Sequence, residues 1–284
     1  MRKIGYVSYA DDPTDPDPDL DIPFLIPEMH ANGYEVSVID WEQDNNFAQF
    51  DVLLIRSPWN YSQNHLKFLS WLSDAESQVQ VINPPAVIRA NMDKRYLFDL
   101  AEKGIPVIPT SLLDDPNQIK NIEHYERMVF KPVVGAGARG AFTTSGIDEA
   151  EWKVRKHFEE SEIALLAQPY LTEVDSIGEI AVVCSNGEAL HAITKRPALS
   201  AGGHGDFAAN TKIDQSLIEF VSAIQELDFA GSSISSLLYS RIDVVPTSSG
   251  YQLMELELFE PTLFLHENPT SVKKFVKNLI EHLT

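Results

Sequence analysis

Residues Met128–Thr144 read MVFKPVVGAGARGAFTT, and the way this stretch folds decides the class of the chain. Gly135, Gly137 and Gly140 satisfy the spacing G-x-G-x-x-G, but that fingerprint needs a strand before it and a helix directly after it. Here a second strand-like run, AFTT, follows instead. The glycines therefore read as a hairpin between two strands, whose backbone N–H groups can fold over phosphates as a lid. No Lys-Ser/Thr pair follows Gly140, so this is not a Walker loop. Taken alone, the loop is equally an exposed hairpin without a ligand. Arg139 within it and Lys131 before it favour the anion-binding reading. Lys131 sits between Phe130 and Pro132 and cannot extend freely into water, so its ammonium requires an anionic partner, either an internal carboxylate or a bound phosphate.

Working outward, residues 3–8, 34–39 (YEVSVI) and 52–55 (VLLI) read as strands, with a helix over 24–32 ended by Gly33. Strands alternating with helices predict a parallel sheet, a small Rossmann-like α/β unit over residues 1–88. A helix is expected over 91–103, with Leu97, Leu100 and Ala101 on one face and Gly104 as its stop. This places Lys94 on the first turn, where an anion is favoured. Beyond the glycine loop, strands are expected near 164–168, 179–184, 189–195, 240–245 and 252–257, with helices near 148–161, 214–227 and 270–283.

Period-2 alternation puts Arg241 and Asp243 on one strand face, and Glu255 and Glu257 on one face of another. Three carboxylates meeting across adjacent strands would repel unless a hard cation lay between them, which suits Mg²⁺. The alternative for Glu255 and Glu257 is a solvated polar face over a core of Leu253, Met254, Leu256 and Leu258. Lys195 and Arg196, ending a strand, are either surface charge or a clamp for a transferring phosphoryl group. Arg56, Trp59 and Tyr61 follow the third strand at the edge where α/β sheets place ligands, and are expected to hold a small substrate's carboxylate and its apolar or amino group. His191, His204 and His266 lack metal-ligand spacing and read as ordinary hydrogen-bonded or exposed histidines. Cys184, in IAVVC, reads as a core thiol. The Asp/Pro-rich stretch 11–23 lacks the glycine and final glutamate of a calcium loop, and is expected to be extended, with a gating role left open.

Composition narrows the function. The 284 residues carry 42 acidic against 22 basic side chains, a net charge of −20. Such a surface repels a nucleic-acid backbone and an anionic membrane alike, so neither is an expected partner. A short apolar start running into Asp11 and Asp12 is no signal peptide, and no apolar stretch reaches the length of a membrane span. A single cysteine excludes an intrachain disulfide. The expected location is cytoplasmic.

Taken in order, Asn91–Lys94 with GIPVIPT (Gly104–Thr110), VFKPVVGAGARG, AQPYL (Ala167–Leu171), Gly178-Glu179, Lys195-Arg196-Pro197, Arg241-Ile242-Asp243 and MELELFEPTLFL (Met254–Leu265) resemble the ATP-grasp superfamily over nearly the whole chain, in particular its glutathione-synthetase-like and RimK-like ligases. The resemblance implies an α/β protein with α+β subdomains: a Rossmann-like substrate domain over 1–88 and an ATP-grasp domain over 89–284, divided into a lid subdomain about 110–171 and a catalytic subdomain about 172–284. It implies ATP and Mg²⁺ as cofactors, with two ions expected and Mn²⁺ an alternative. Lys94 and Lys131 would contact phosphates under the lid of Gly135, Gly137, Arg139 and Gly140. Gln168, Pro169, Tyr170 and Leu171 would receive adenine, Glu173 the ribose, and Glu179 would join them at the nucleotide. Lys195, Arg196 and Arg241 take catalytic positions, Arg241 and Arg56 being the expected holders of the substrate carboxylate. Asp243, Glu255 and Glu257 take the metal positions. Glu257 stands where many relatives carry Asn, which leaves the number of ions open.

A narrower resemblance, in RSPWNY (Arg56–Tyr61) and MELELFEP, is to the O-ureido-serine cyclo-ligase group, although Ala198–Asp206 departs from it. The implied activity joins a small-molecule carboxylate to an amine through an acyl phosphate, releasing ADP and phosphate. An intramolecular cyclo-ligase and a catalytically silent nucleotide-binding protein are the alternatives, and the resemblance is compatible with a homodimer or homotetramer.

Overall fold

The computed structural model describes residues 2–9, 18–43, 46–196, 199 and 207–283, except the side chains of 207–209. The expectations placed on 11–17, Pro197, His204 and most of 198–206 fall outside the described residues. Strand β1 (Arg2–Ser8), helix α1 (Ile22–Ala31), β2 (Tyr34–Asp40), β3 (Val52–Ser57), α2 (His65–Glu76) and β4 (Gln80–Ile82) build a parallel sheet in the order β2-β1-β3-β4. Alternation sorts its side chains between two cores. Ile4, Tyr6, Val52 and Leu54 pack with Leu25 and Met29 of α1. Val7, Leu53 and Ile55 pack with Phe68 and Leu72 of α2. Both faces are covered, so these strands read as continuous apolar runs.

The expected helix over 91–103 is two helices, α3 (Pro85–Asn91) and α4 (Tyr96–Glu102). The chain breaks between them because Asp93 accepts a hydrogen bond from Arg95 N (2.9 Å), and Lys94 N donates to Val133 O (2.8 Å) rather than to a preceding turn. Lys94 therefore lies in the link, pinned against the strand that leads into the glycine loop.

An antiparallel sheet follows, β5-β8-β6-β7, from β5 (Ser111–Leu113), β6 (Arg127–Pro132), β7 (Phe142–Ser145) and β8 (Leu165–Pro169). Helix α5 (Ile147–Glu160) covers it, setting Ala150 and Val154 against Met128, Phe130, Leu165 and Ala167. The glycine loop joins β6 to β7, as its strand-like flanks predict. Gly137, Ala138 and Gly140 there have φ of 59°, 59° and 72°.

After the short α6 (Glu173–Ser176), a five-stranded antiparallel sheet runs β11-β10-β9-β14-β15. Its members are β9 (Glu179–Ser185), β10 (Glu188–Lys195), β11 (Phe207–Thr211), β14 (Ser240–Thr247) and β15 (Gly250–Glu257). Helix α7 (Gln215–Gln225) and the ribbon β12 (Asp228–Phe229) and β13 (Ser232–Ser233) come between β11 and β14. One face packs Ile180, Val182, Cys184, Ile242 and Val244 against α7 and α4. The other sets Ala181, Val183 and Ile193 toward Phe275 of the last helix, α8 (Pro269–Leu283). Among the described residues no helix is long and apolar enough to cross a membrane.

Candidate active site

The two antiparallel sheets and the edge of the parallel one enclose a cavity of about 400 Å³. Its apolar part is lined by Ile108, Val129, Leu171, Val174 and Met254, with Gln168, Pro169 and Tyr170 along β8 and just beyond it. Gln168 is buried, and its Nε2 donates to Thr110 Oγ1 (2.9 Å). Tyr170 N donates to Arg127 O (3.0 Å), and the Arg127 guanidinium lies 3.7 Å over the Tyr170 ring. Next to this apolar part come Lys94, Lys131 and the loop residues Gly135, Gly137 and Arg139. Lys94 Nζ donates to Gly135 O (2.5 Å) and pairs with Glu255 Oε1 at 3.0 Å. Arg139 Nη1 donates to Trp59 O (3.1 Å), and Trp59 Nε1 donates to Glu260 O (2.8 Å). These bonds tie the loop to the first sheet and to the segment after β15.

The polar floor follows from strand register. Lys195 is opposite Glu179, Arg241 opposite Glu257, and Asp243 opposite Glu255. Lys195 Nζ lies 2.9 Å from Glu179 and 3.1 Å from Asp243. Arg241 holds Asp243 with two bonds of 2.8 Å, reaches Glu257, and donates from Nη1 to Thr262 O (3.1 Å). These charges are largely out of water, Asp243 being 1% exposed and Glu179 4%. Burial pushes the Glu179 carboxyl up to about 7 although Lys195 opposes the shift. Asp243 moves the other way, since Arg241 and Lys195 outweigh burial and hold it well below the usual carboxylate range. Lys94 and Lys131 likewise lower Glu255 against the effect of burial. Burial raises Glu257 to about 7, with Asp243 and Glu255 adding to the shift and Arg241 opposing it. Glu260 rises to about 8, from burial and then from Glu257.

The alternation expected for 241/243 and 255/257 is what brings these groups together, but repulsion among the carboxylates is offset differently from expectation. Lys94, Lys195 and Arg241 occupy their oxygens. Among the described residues no three acidic or histidine side chains converge as ligands of one metal ion. The donor chemistry still suits a hard cation, because Asp243, Glu255 and Glu257 offer only oxygen ligands.

Lys131 lines the cavity and makes no ion pair among the described residues. Arg196 also lines it. Trp59 lines it as well, whereas Gly140, Glu173, Asp243, Arg56 and Tyr61 do not. Tyr61 is buried against Phe68 and Phe259. Arg56, 1% exposed, spends Nη2 on Pro261 O (2.8 Å) and lies 3.8 Å from Asp21 and 4.9 Å over the Tyr239 ring. It joins the first sheet to the segment after β15 and does not face the cavity. Arg241 lines the cavity with four of the five N–H donors of its guanidinium engaged.

Sequence reasoning missed Glu260, Thr262, Phe264 and His266, which line the cavity, and Asp21 behind them. The run EPTLFLHE (Glu260–Glu267) carried the signal, since acid and imidazole side chains in an otherwise apolar, proline-started segment need partners. Asp21, in the Asp/Pro-rich stretch expected to be extended, is wholly buried and accepts from His266 N and Leu263 N.

The architecture is the fold of the ATP-grasp ligases. Within that class the chain is similar to D-cycloserine synthetase DcsG: the family model for the N-terminal domain of that protein matches residues 4–83. The cycloserine biosynthesis protein DcsG of Streptomyces lavendulae is 27% identical over 284 aligned positions, covering 93% of this chain and 94% of that protein. The crystal structure of D-cycloserine synthetase DcsG superposes with a TM-score of 0.88 at 25% identity, over 99% of this chain and 100% of that one. The ATP-grasp ligase PsnB, in complex with a precursor variant, Mg and ADP, shares the fold at a TM-score of 0.65 and 15% identity, over 99% and 98% of the two chains.

Proposed function

We infer that this protein activates a substrate carboxylate as an acyl phosphate with ATP and Mg²⁺, and that a nitrogen then displaces phosphate. One observation carries the reading: a single cavity joins the glycine loop, the cations Lys94, Lys131, Lys195 and Arg196, and a buried carboxylate floor. Adenine takes the apolar part along Gln168–Leu171. The triphosphate lies under Gly135–Arg139 with Lys94 and Lys131. Asp243, Glu255 and Glu257 would hold the metal ion, which supplies charge neutralisation at the phosphoryl oxygens. Lys195 and Arg196 steady the transferred group, and fixed cations in a site shielded from water are worth far more than in bulk solvent. Residues 1–88 form the substrate-facing unit, and 89–284 the nucleotide-binding and catalytic unit.

The likeness to D-cycloserine synthetase along the whole chain favours a more specific form, in which acid and nitrogen belong to one molecule and the product is a ring. ADP release from ATP and Mg²⁺ tests both forms, with O-ureido-serine alone and with amino and hydroxy acids alone or paired with amines. Release with O-ureido-serine alone supports the cyclo-ligase, and release needing two organic partners supports the intermolecular ligase. AMP and pyrophosphate as products contradict both.

A further inference from the structure

We propose that His266, aligned by the buried Asp21, takes the proton from the substrate's nucleophilic nitrogen as the new carbon–nitrogen bond forms. The proposal rests on the acyl-phosphate reading and adds the proton acceptor which that reading lacks. The nitrogen lone pair attacks the acyl carbon, the bond to phosphate oxygen breaks with its electrons leaving on inorganic phosphate, and the N–H proton passes to His266 Nε2 and from there to water.

The geometry sets the imidazole for this task. His266 lines the cavity beside Phe264, whose ring is 6.3 Å from its own and 5.6 Å beneath the Arg241 guanidinium. This puts it on the Arg241 side of the cavity. Its Nδ1 lies 2.9 Å from Asp21 Oδ1. Asp21 is held as a carboxylate below its usual range: burial opposes this, but the bond from His266 and the charge of Arg56 prevail. A carboxylate only accepts, so Nδ1 carries the hydrogen and Nε2 is the nitrogen left to receive a proton. Asp21 is itself fixed by Leu263 N (3.2 Å) and His266 N (3.1 Å), so it acts as a positioning residue.

The other groups facing the ring are Glu267, whose Oε1 lies 3.6 Å from Nε2, and the more distant Asp19 and His191. The bond to Asp21 raises the His266 pKa against burial, which makes the ring a stronger base than a free imidazole. The competing carboxylates are less suited: Glu255 is paired with Lys94, Glu179 with Lys195 and Glu257 with Arg241. Glu260 is the remaining rival.

The test separates activation from ligation in the full chain. Hydroxylamine is uncharged near neutral pH and captures an acyl phosphate without a base. Wild type and His266→Gln are each given ATP, Mg²⁺ and O-ureido-serine, with and without hydroxylamine. The variant is expected to form hydroxamate at least as well as wild type and to lose ligation by about 10²–10⁴-fold, the usual size of a general-base effect. Its pH–rate profile should lose the acid limb, and Asp21→Asn, which keeps an acceptor but removes the charge, should move that limb to lower pH. Added imidazole should partly restore ligation to His266→Ala. Equal losses of hydroxamate and ligation, or an acid limb that survives His266→Gln and disappears in Glu260→Gln, overturn the proposal. Unlabelled phosphate released from O-ureido-serine carrying ¹⁸O in its carboxylate removes the acyl-phosphate reading itself, and the proposal with it.

Discussion

Lys195 and Lys131 are both lysines at strand ends in the same cavity, yet the structure predicts opposite consequences for losing them. Lys195 stands between Glu179 and Asp243, both almost wholly buried. Lys195→Met leaves those carboxylates without their shared cation and is expected to cost about 3–5 kcal/mol of stability, as breaking a buried pair does. Urea unfolding without nucleotide measures it, and an unchanged midpoint would refute the role. Lys131→Met removes no ion pair among the described residues. The Lys131 charge acts on Glu255 without a direct pair, so the stability loss should stay below about 1 kcal/mol. The Kd for ATP should rise about 10–100-fold, the worth of one hydrogen bond to a charged group. Calorimetric titration of ATP into both proteins checks this. At this scale the position of Lys131 was legible because β6 alternates cleanly, and those of Arg241 and Glu255 because each lies two residues from an acidic neighbour on a strand that pairs in regular register there. His266 was not, because it lacks metal spacing and its partner Asp21 lies 245 residues away.

Among elements, the junction of β9 and β10 governs the placement of Glu179 and Lys195. Gly178 just before β9 has φ +96°, and a Cβ there would lie 2.7 Å from Thr194 Cγ2 and 3.0 Å from Lys195 O. Both the backbone conformation and the space require glycine. Gly178→Ala is expected to cost more than about 1 kcal/mol and to lower turnover, because Lys195 must shift with its carbonyl. Thermal unfolding together with kcat checks the prediction, and wild-type values for both would contradict it. The long strands were legible from their apolar runs and period. The break between α3 and α4 was not, because continuous apolar spacing hides a link whose cause, the pairing of Lys94 N with Val133 O, is tertiary. Helix α2 sets Phe68, Leu72 and Ala75 at helical spacing, a pattern that a strand-centred reading passes over.

For the whole molecule, the Asp21–His266 pair joins the segment after the first strand to the segment before the last helix, so its titration should appear in global stability. His266 is raised above its ordinary 6.5, so its contribution is complete below that pH and is lost as pH rises through the higher folded value. Asp21 is lowered from 3.8, so its contribution is present above that pH and is lost as pH falls through the lower folded value. The difference in melting temperature between wild type and His266→Gln should therefore be greatest between the ordinary values of the two groups, 3.8 and 6.5, and shrink at alkaline pH. A difference that grows with pH would contradict the pairing. Cys184, buried in the core and pushed up to about 12, should resist thiol reagents until the protein unfolds.

Activation through an acyl phosphate makes a carboxylate oxygen part of the phosphate that leaves. Labelling the carboxylate of O-ureido-serine with ¹⁸O and analysing the products of turnover by mass spectrometry tests it most directly. The expected products are ADP, and inorganic phosphate carrying one labelled oxygen per molecule. Unlabelled phosphate, or label carried in AMP, would contradict it.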